Sequence, residues 1–458
     1  MRIQSNTVVK LASFISFFIF SACNKNVTID SRDVALKDPS GSLSFDPAAK
    51  PNIILFIADD YGYELPNFTG GDSYSTPTLN YLAANGIQFY QAYSHPDGFP
   101  SRLATYTGKY NFRNYIRWGY LPPTEKTIAN MLHDNAGYKT CFVGKWQNDG
   151  GDTTAHRAGF DTYSMFLPFS FSDQRIGRYK NPLIYQNANF LPSSQTDGKY
   201  SEDFFSDYLC NFIDSNKTKP FFAVYSNNVV ASDFSPTPDD PDFASWNPDN
   251  PEDKKYFPGM VAYQDKMMNK VLQKLRANGI ENNTCIIFIG DNATSKKINS
   301  TFNGGPRNGG KNLTNKRGTQ TPLVVYWPAR ILPGQRKSTL IDFTDFLPTL
   351  ADIAGIPKPS NYGILDGTSF YDNMVGNRIV KDRTWVFAHW DNSPTDDKVP
   401  VRYVNDAFYK LYDTLQNSNF FNVKKDVEEK TPLKDNDLTP AEVLIKANFK
   451  AVLATMHN

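Results

Sequence analysis

The sequence predicts an α/β protein: a three-layer α/β/α sandwich followed by a small C-terminal α+β subdomain. Several apolar runs of strand length, such as Asn52–Ala58, are typical of strands buried on both faces of a mainly parallel sheet. Segments with helical periodicity lie between these runs, so strands and helices alternate along the chain. After about residue 373 the alternation stops, and two antiparallel strands and a terminal helix are expected instead.

The elements follow in chain order. Thr76 and Pro77 mark the start of a helix that ends near Gly86, because Pro is favoured in the first helical turn. Two more helices are predicted at Thr127–Asn135 and, from an amphipathic pattern, at Lys255–Asn278. Further strands are predicted at Ile87–Tyr93, Lys139–Val143, Phe221–Tyr225, Thr284–Ile289 and Leu323–Trp327. The subdomain is expected to contain strands at Thr384–Trp390 and Val401–Tyr412 and a helix at Pro440–Met456.

Residues 1–22 have the pattern of a lipoprotein signal peptide, so they are not expected to be part of the fold. The apolar stretch Leu11–Ala22 is too short to span a bilayer as a mature helix. Small residues directly before Cys23 are typical of a bacterial lipoprotein signal, whose cleavage leaves Cys23 lipidated; an ordinary secretory signal is the alternative. Residues 23–50 then form a polar tether. The protein is therefore expected in the bacterial cell envelope, in the periplasm or on the outer surface, held to the membrane by its lipid anchor only.

Composition argues against several classes of protein. The chain has 48 Lys and Arg against 47 Asp and Glu, a net charge of +1, so no global field attracts nucleic acid or an anionic membrane surface. The cysteines after Cys23 are odd in number and widely spaced, which gives no disulfide framework and no zinc motif. The five histidines show no HxH or HExxH spacing, which argues against a His-rich metal centre.

Acidic residues follow two of the predicted buried strands. Asp59 and Asp60 stand at the carboxyl end of the first strand, and Asp291 and Asn292 stand at the end of another. Because strand carboxyl ends form the ligand crevice of open α/β sheets, the two pairs would place like charges together unless a cation lies between them. Carboxylate and amide oxygens suit a hard cation such as calcium or magnesium. The alternative is two unrelated strand-end caps.

Basic residues stand near these acids. Lys145 follows a strand, Arg102 ends the segment GFPSR, and Lys311 follows two glycines in a loop. Together with a metal ion, such cations can hold a tetrahedral oxyanion and stabilise charge on its leaving oxygen. Each lysine alone is more often a solvated surface group, and only the shared placement favours a joint role.

The motifs, in this order, resemble those of the type I sulfatases of the alkaline phosphatase superfamily, from Asn52 to about Tyr412. NIILFIADDYG resembles the family's first metal-binding strand, GYKTCFVGKW its GYxTxxxGKWH segment, and IIFIGDN its second metal-binding strand. GGKNLTNKRGTQTPLVV corresponds in length to the GK…EGGxRVP stretch. The resemblance implies a fold of the alkaline phosphatase type, with a sulfatase-like domain at residues 51–372 and a C-terminal subdomain at 373–458.

The resemblance also implies roles for individual residues. One calcium ion would be bound by Asp59, Asp60, Asp291 and Asn292. Arg102 would orient the nucleophile and steady the metal site, while Lys145 and Lys311 would hold the sulfate. The implied ligand is a sulfated glycan or a small sulfate ester.

Four positions depart from the family, and at one of them Gln320 replaces the arginine of GGxRVP. The family's nucleophile is a formylglycine made from Cys or Ser in C/S-x-P-S-R; here that position is Gly98, which has no Cβ to carry an aldehyde, so formylglycine cannot form. The histidine of GKWH is Gln147, which cannot act as a base at neutral pH. The histidine of PHxP aligns with Ala231. The metal ligands and the cations are thus retained, whereas the nucleophile, the base and the acid are not.

Three functions remain open from the sequence. The first is a sulfuric ester hydrolase for sulfated carbohydrates or aryl sulfates; it needs a substitute nucleophile, such as water at the calcium site with Asp97 or His95 as base, and its turnover is expected to be impaired. The second is a pseudosulfatase that binds sulfated glycans at the cell surface without hydrolysing them. The third is a purely structural role with a relict site.

Overall fold

The computed structural model describes residues 50–170, 177–357, 360–376, 382–391 and 399–456. The predicted signal peptide, Cys23 and the tether up to residue 49 lie outside these ranges. The described residues fall within one unit, Ala48–Asn458. No helix in the described ranges is both long enough and apolar enough to cross a membrane.

The strands and helices alternate along most of the chain. The described strands are β1 (Asn52–Ala58), β2 (Ile87–Tyr93), β3 (Lys139–Lys145), β4 (Thr162–Phe166), β5 (Tyr185–Gln186), β6 (Asn189–Phe190), β7 (Phe221–Asn227), β8 (Thr284–Gly290), β9 (Asn299–Phe302), β10 (Gly305–Asn308), β11 (Gln320–Tyr326), β12 (Gln335–Asp342), β13 (Val386–Trp390), β14 (Val401–Asn405), β15 (Tyr409–Tyr412) and β16 (Phe420–Asn422). The described α-helices are α1 (Pro77–Ala84), α2 (Gly98–Thr107), α3 (Asn111–Asn114), α4 (Ile128–Ala136), α5 (Gly151–Arg157), α6 (Ser193–Thr196), α7 (Ser201–Asn216), α8 (Phe257–Ala277), α9 (Lys316–Thr319), α10 (Phe346–Ile353), α11 (Tyr371–Val375) and α12 (Pro440–Thr455).

A large mixed sheet forms the middle layer. Its strand order among the described residues is β12-β2-β11-β8-β1-β7-β3-β4-β5-β6. The central strands β8, β1, β7, β3 and β4 are parallel to one another, and β11 runs antiparallel between β8 and β2. The carboxyl ends of β8, β1, β7 and β3 therefore lie side by side at one edge of the sheet.

Side chains of the central strands alternate between two apolar cores. Ile53, Leu55 and Ile57 of β1 face the core that contains helices α2, α4 and α10, whereas Ile54 and Phe56 face the core that contains α1, α7 and α8. Because a strand that is covered on both faces needs apolar residues at every position, the continuous run NIILFIA is explained. The three-layer α/β/α sandwich predicted from the sequence is confirmed.

A second, antiparallel sheet forms the C-terminal subdomain, in the order β13-β14-β15-β16. Phe449 and Leu453 of α12 pack against Val404 and Leu411 of this sheet. The predicted single strand Val401–Tyr412 is wrong, because the chain turns between β14 and β15. The Asp406 carboxylate accepts hydrogen bonds from the backbone N–H groups of Phe408 and Tyr409, both at 2.7 Å, and thereby closes a hairpin turn.

Candidate metal centre and anion site

The acidic side chains of two neighbouring strands meet at the carboxyl edge of the main sheet. Ala58 of β1 is in register with Gly290 of β8, so the residues after both strands stand next to each other. Carboxylate oxygens of Asp59, Asp60 and Asp291 all lie within 4.8 Å of one another, and all three side chains are buried. The backbone N–H of Asp60 donates to Asp291 Oδ1 at 3.0 Å, which ties the two strand ends together.

Cations surround these carboxylates. Lys145 Nζ, at the end of β3, lies 2.6 Å from Asp59 Oδ2, and Lys311 Nζ lies 2.7 Å from Asp60 Oδ1. Arg102, on α2, donates through Nη1 to Asp291 Oδ2 and approaches Asp59 Oδ1 at 3.9 Å. The structure thus brings together all three cations and all of the acids that the sequence singled out, although these residues are spread over more than half of the chain.

The electrostatic environment shifts the pKa values of Asp59 and Asp291 in opposite directions. Burial favours the neutral form of Asp59, but Lys145, Arg178 and Arg102 together hold its pKa well below its ordinary value. Burial and the neighbouring charge of Asp59 instead raise the pKa of Asp291 to about 7. The Asp291 carboxylate is therefore held near two others at an electrostatic cost that a divalent cation would remove.

The donor atoms fit a hard cation. Within the described residues, Asp59 Oδ1 and Asn292 Oδ1 are buried and accept no hydrogen bond. Asn292 is oriented by its amide nitrogen, which donates to Asp60 Oδ1 at 2.8 Å and leaves the amide oxygen available. Unsatisfied buried oxygens are costly, and oxygen-only donor sets of this kind are the ligands that calcium and magnesium prefer. We therefore find that the residues present fit such an ion.

Gly98 faces this centre from the first position of α2, where Asp97 accepts a hydrogen bond from the backbone N–H of Phe99. A Cβ atom placed on Gly98 would come into hard contact with Asp291 Oδ2 and would lie 2.8 Å from both Arg102 Nη1 and Asn292 Oδ1. The helical backbone of Gly98 does not itself require glycine. What glycine provides here is room for the buried carboxylate and guanidinium groups.

Gln147 follows β3 and is buried, and its Oε1 has no hydrogen-bond partner among the described residues. Its φ angle is +53°, in the left-handed region, and the metal-ligand candidate Asp60 has a φ of +55°. Such conformations are uncommon for residues with side chains and are concentrated at functional sites. Ala231 is buried in the segment after β7, where its carbonyl accepts a hydrogen bond from the Tyr179 hydroxyl at 2.7 Å.

Arg178 is a fourth cation of the centre, and no sequence motif predicts it. Its Nη2 lies 3.0 Å from Asp59 Oδ2, its Nε donates to Asn228 Oδ1 at 3.0 Å, and its Nη1 donates to the Ser232 carbonyl. The residue therefore joins the metal-ligand candidate Asp59 to the segment that contains Ala231. It stands in a loop without a recognisable motif, so only the three-dimensional structure could reveal it.

His95, one of the two residues that the sequence offers as a base, is packed beside the C-terminal subdomain. Its imidazole is buried, and neither ring nitrogen has a hydrogen-bond partner in the part of the chain that the structure describes. It lines a small cavity with Asp342, Phe387 and Tyr403 at the C-terminal subdomain. Burial lowers the pKa of His95 to about 4, so the ring is neutral at physiological pH.

This histidine should make the fold sensitive to mild acid. An unfolded chain protonates the imidazole below about pH 6.5, whereas the folded chain resists protonation down to about pH 4, so stability falls as the pH drops through this window. The loss is at most about 3 kcal/mol. We expect His95→Phe to reduce the fall in melting temperature between pH 7 and pH 4.5. A variant with the wild-type pH profile would show that His95 contributes nothing to it.

Comparison with known proteins gives a consistent result. A family model described as Sulfatase matches residues 51–356, and one described as N-sulphoglucosamine sulphohydrolase, C-terminal, matches residues 310–456. The chain is 30% identical to an arylsulfatase of Hemicentrotus pulcherrimus over 388 residues, which are 76% of this chain and 66% of that protein. It is 26% identical to the N-acetylgalactosamine-6-sulfatase of Rattus norvegicus over 397 residues, which are 79% of this chain and 72% of that protein.

Solved structures share the fold. The crystal structure of Ps i-CgsB has a TM-score of 0.72 at 23% identity. The match covers 89% of this chain and 92% of the Ps i-CgsB chain. A structure of BT4656, in complex with its substrate D-glucosamine-2-N,6-O-disulfate, has a TM-score of 0.70 at 18% identity. The match covers 89% of this chain and 97% of the BT4656 chain. At these identities the comparison establishes the fold alone.

Proposed function

The chain belongs to the sulfatase family, and we propose that it binds sulfate esters of carbohydrates or aryl groups at a calcium centre that lacks the family's nucleophile. The relatives support this ligand class, because they include proteins named arylsulfatase and N-acetylgalactosamine-6-sulfatase. A related fold has also been solved with k-i-k-neocarrahexaose bound. Within the sulfuric ester hydrolase class, we propose that turnover by this chain is impaired.

The observation that carries the proposal is the ring of cations around the buried carboxylates. Asp59 is surrounded by four cations, Lys145, Arg178, Arg102 and Lys311. These four positive charges exceed the three carboxylates of the centre, and a divalent ion adds to the excess. A sulfate ester is an anion with several acceptor oxygens, which charge-assisted N–H groups bind strongly in a buried site.

We propose that the ion is a single calcium held by Asp59, Asp60, Asp291 and Asn292. When bound, it would withdraw charge from an ester oxygen as a Lewis acid. Lys145 and Lys311 orient the sulfate group. Arg102 holds the Asp291 carboxylate from the helix that begins at Gly98.

Impaired turnover follows from the side chains that are absent. Cleavage of a sulfate ester needs a nucleophile at sulfur and a proton for the leaving oxygen. Gly98 offers no attacking atom, Gln147 does not titrate near neutral pH, and His95 faces another cavity.

A specific observation favours a second function, the non-catalytic binding of sulfated glycans. The space that a side chain at position 98 would enter is already occupied by the Asp291 carboxylate. The groups that remain serve binding, and those that are missing serve only bond breaking. A protein that has only the binding groups would hold a sulfated ligand without cleaving its sulfate ester.

A binding experiment tests the site. A glycan array probed with the purified protein in calcium, and again with a chelator, should show calcium-dependent binding to sulfated glycans. Lys311→Ala should weaken that binding by about tenfold to a hundredfold, the value of a charge-assisted hydrogen bond. The matched control is Lys266→Ala, which removes an exposed lysine of α8 that is paired with Asp239. Equal loss in both variants, or binding that ignores calcium, would contradict the site.

We further propose that Cys23 anchors the protein in the cell envelope. The support is the sequence alone: the apolar stretch before Cys23 and the polar stretch after it. Cys23→Ser should release the chain from the membrane fraction, or leave it with an uncleaved signal. A processed Cys23→Ser chain that remained in the membrane fraction would contradict this anchor.

A further inference from the structure

The two carboxylate oxygens of Asp59 have different surroundings. Oδ2 is held from two sides, by Lys145 Nζ at 2.6 Å and by Arg178 Nη2 at 3.0 Å. Oδ1 is buried and accepts no hydrogen bond from the described residues. The two cations therefore fix the carboxylate by one oxygen and leave the other oxygen available to an ion.

Arg178 serves to orient this carboxylate, because its positive charge cannot attract a metal ion. Its guanidinium is a planar fork in which each nitrogen has a fixed acceptor. Nε donates to Asn228 Oδ1 at 3.0 Å, Nη1 donates to the Ser232 carbonyl, and Nη2 donates to Asp59. Because the fork is rigid, the place of Nη2 beside Asp59 depends on the acceptors at the other two nitrogens.

Asn228 is completely buried and holds Arg178 at two points. Its side-chain oxygen accepts the hydrogen bond from Nε, and its amide nitrogen donates to the backbone carbonyl of Arg178 at 3.4 Å. Its own carbonyl accepts a hydrogen bond from the Tyr179 hydroxyl at 3.0 Å. One residue thus fastens the loop of Arg178 to the segment that follows β7.

Glu202 fixes Asn228 in turn. It lies in the first turn of α7 and is completely buried, and its Oε1 accepts a hydrogen bond from the backbone N–H of Asn228 at 2.9 Å. Its Oε2 accepts from the Tyr225 hydroxyl at 2.6 Å and from the Asn227 amide at 3.2 Å. Since a buried carboxylate is costly without such donors, this segment and Glu202 determine each other's position.

We propose that Asn228 and Glu202 are positioning residues of the metal centre, which act through Arg178 to hold the Asp59 carboxylate in the orientation that binds the ion. The inference rests on the proposed function, because it assumes an ion at Asp59. Replacing a residue that orients a metal ligand typically weakens metal binding by about tenfold to a hundredfold.

Calorimetric titration of the purified chain with calcium tests this role. Burial raises the pKa of Glu202 to about 7, so a mildly alkaline buffer keeps this carboxylate ionised. Asn228→Ala should weaken calcium binding by about tenfold to a hundredfold, although it changes no charge. The matched control is Asn130→Ala in α4, because the buried amide of Asn130 also accepts one hydrogen bond, from the Thr127 N–H, and donates one to an arginine carbonyl, that of Arg157. The control should change the calcium affinity by less than about twofold.

A double-mutant cycle separates positioning from a general loosening of the fold. Arg178→Lys keeps the charge but loses the planar fork, so it should weaken calcium binding by a similar factor. Because both residues act on the same carboxylate, Asn228→Ala combined with Arg178→Lys should bind calcium about as weakly as either single variant. Losses that multiply in the double variant would show that the two residues act independently, which contradicts the proposal.

Glu202→Gln tests the remaining residue and keeps the proposal falsifiable if Asn228→Ala does not fold. Glutamine replaces one acceptor oxygen by a donor, so one hydrogen bond to this segment is lost, and calcium binding should weaken by about tenfold. Asp265→Asn in α8 is its control, because this buried carboxylate also accepts hydrogen bonds from backbone N–H groups, those of Thr78 and Leu79. The control loses the same charge and should keep its calcium affinity.

The outcomes separate this inference from the proposed function. Wild-type calcium affinity in a folded Asn228→Ala or Glu202→Gln chain would overturn the inference and leave the metal centre intact. Equal losses in a variant and its control would also overturn it, since loosening of the fold would then explain both. If the wild type binds no calcium, the proposed function fails and this inference fails with it. Melting curves in chelator verify that each variant folds.

Discussion

The purified protein is expected to melt at a higher temperature when calcium is added, and Asp291→Ala combined with Asn292→Ala is expected to abolish this shift. The reason is that the double change removes a buried carboxylate and the buried amide oxygen that has no hydrogen-bond partner in the described chain. An ion that binds only the folded state at a hundred times its dissociation constant stabilises it by about 2.7 kcal/mol. Differential scanning calorimetry with calcium or with a chelator measures the effect.

The matched control is Asn436→Ala combined with Asp437→Ala, which removes the same two residue types from an exposed segment of the subdomain. This variant should keep the full calcium shift. Without calcium, the site variant loses the contact of Asp291 with the buried Arg102 as well as the like-charge repulsion with Asp59 and Asp60, so its melting curve in chelator serves as the baseline for its calcium shift. Identical melting curves of the wild type with calcium and with chelator would contradict the metal assignment.

Catalytic turnover is expected to rise stepwise when the missing groups are returned. Gly98→Cys, expressed with a formylglycine-generating enzyme, should acquire the aldehyde because Pro100 and Arg102 keep the remainder of the modification motif. Its backbone accepts a side chain at position 98, but the carboxylate of Asp291 and the guanidinium of Arg102 must move. Adding Gln147→His and Ala231→His should then raise the rate of sulfate release by at least about a hundredfold, because a base and an acid act together on the same reaction.

The control is the same triple variant with Gly98→Ala in place of Gly98→Cys. Alanine adds the Cβ atom near Asp291, but it cannot become an aldehyde. This control should remain inactive, with mass spectrometry confirming the aldehyde only in the cysteine variant. A rate in the alanine variant equal to that of the cysteine variant would show that position 98 is not the nucleophile position.

The sequence predicted the acidic centre because its geometry follows from a general rule. Residues that directly follow parallel strands share one edge of the sheet, so Asp59 and Asp291 had to be neighbours once both strands were central and parallel. β1 and β8 are continuous apolar runs that are buried at every position, which identifies both as central strands. Lys145 was predictable for the same reason, since it ends the parallel strand β3.

Residues in loops could not be placed in this way. Arg178 reaches Asp59 from a segment with no periodic pattern, and its position depends on hydrogen bonds to Asn228 and Ser232 far along the chain. His95 lies three residues before Gly98, yet its side chain lines a cavity at the C-terminal subdomain. Proximity in sequence therefore does not determine which part of the fold a loop residue packs against.

The sequence pattern does not predict helix α2, although this helix carries both Gly98 and Arg102. The segment GFPSR begins with glycine and contains proline, which favours a turn when it is interpreted locally. In the structure, Asp97 caps the helix through the Phe99 N–H, and proline is tolerated in the first turn because its missing N–H would have no helical partner there.

The most direct test of the account is to follow one sulfated oligosaccharide with the unmodified protein in calcium, measuring binding by calorimetry and sulfate release by ion chromatography in the same sample. The ligand is expected to bind, and a chelator or Asp59→Ala is expected to abolish binding. The ligand should be recovered with its sulfate still attached or released only slowly. Rapid sulfate release that Asp59→Ala abolishes would contradict it, because the centre would then contain an attacking group other than a side chain at position 98.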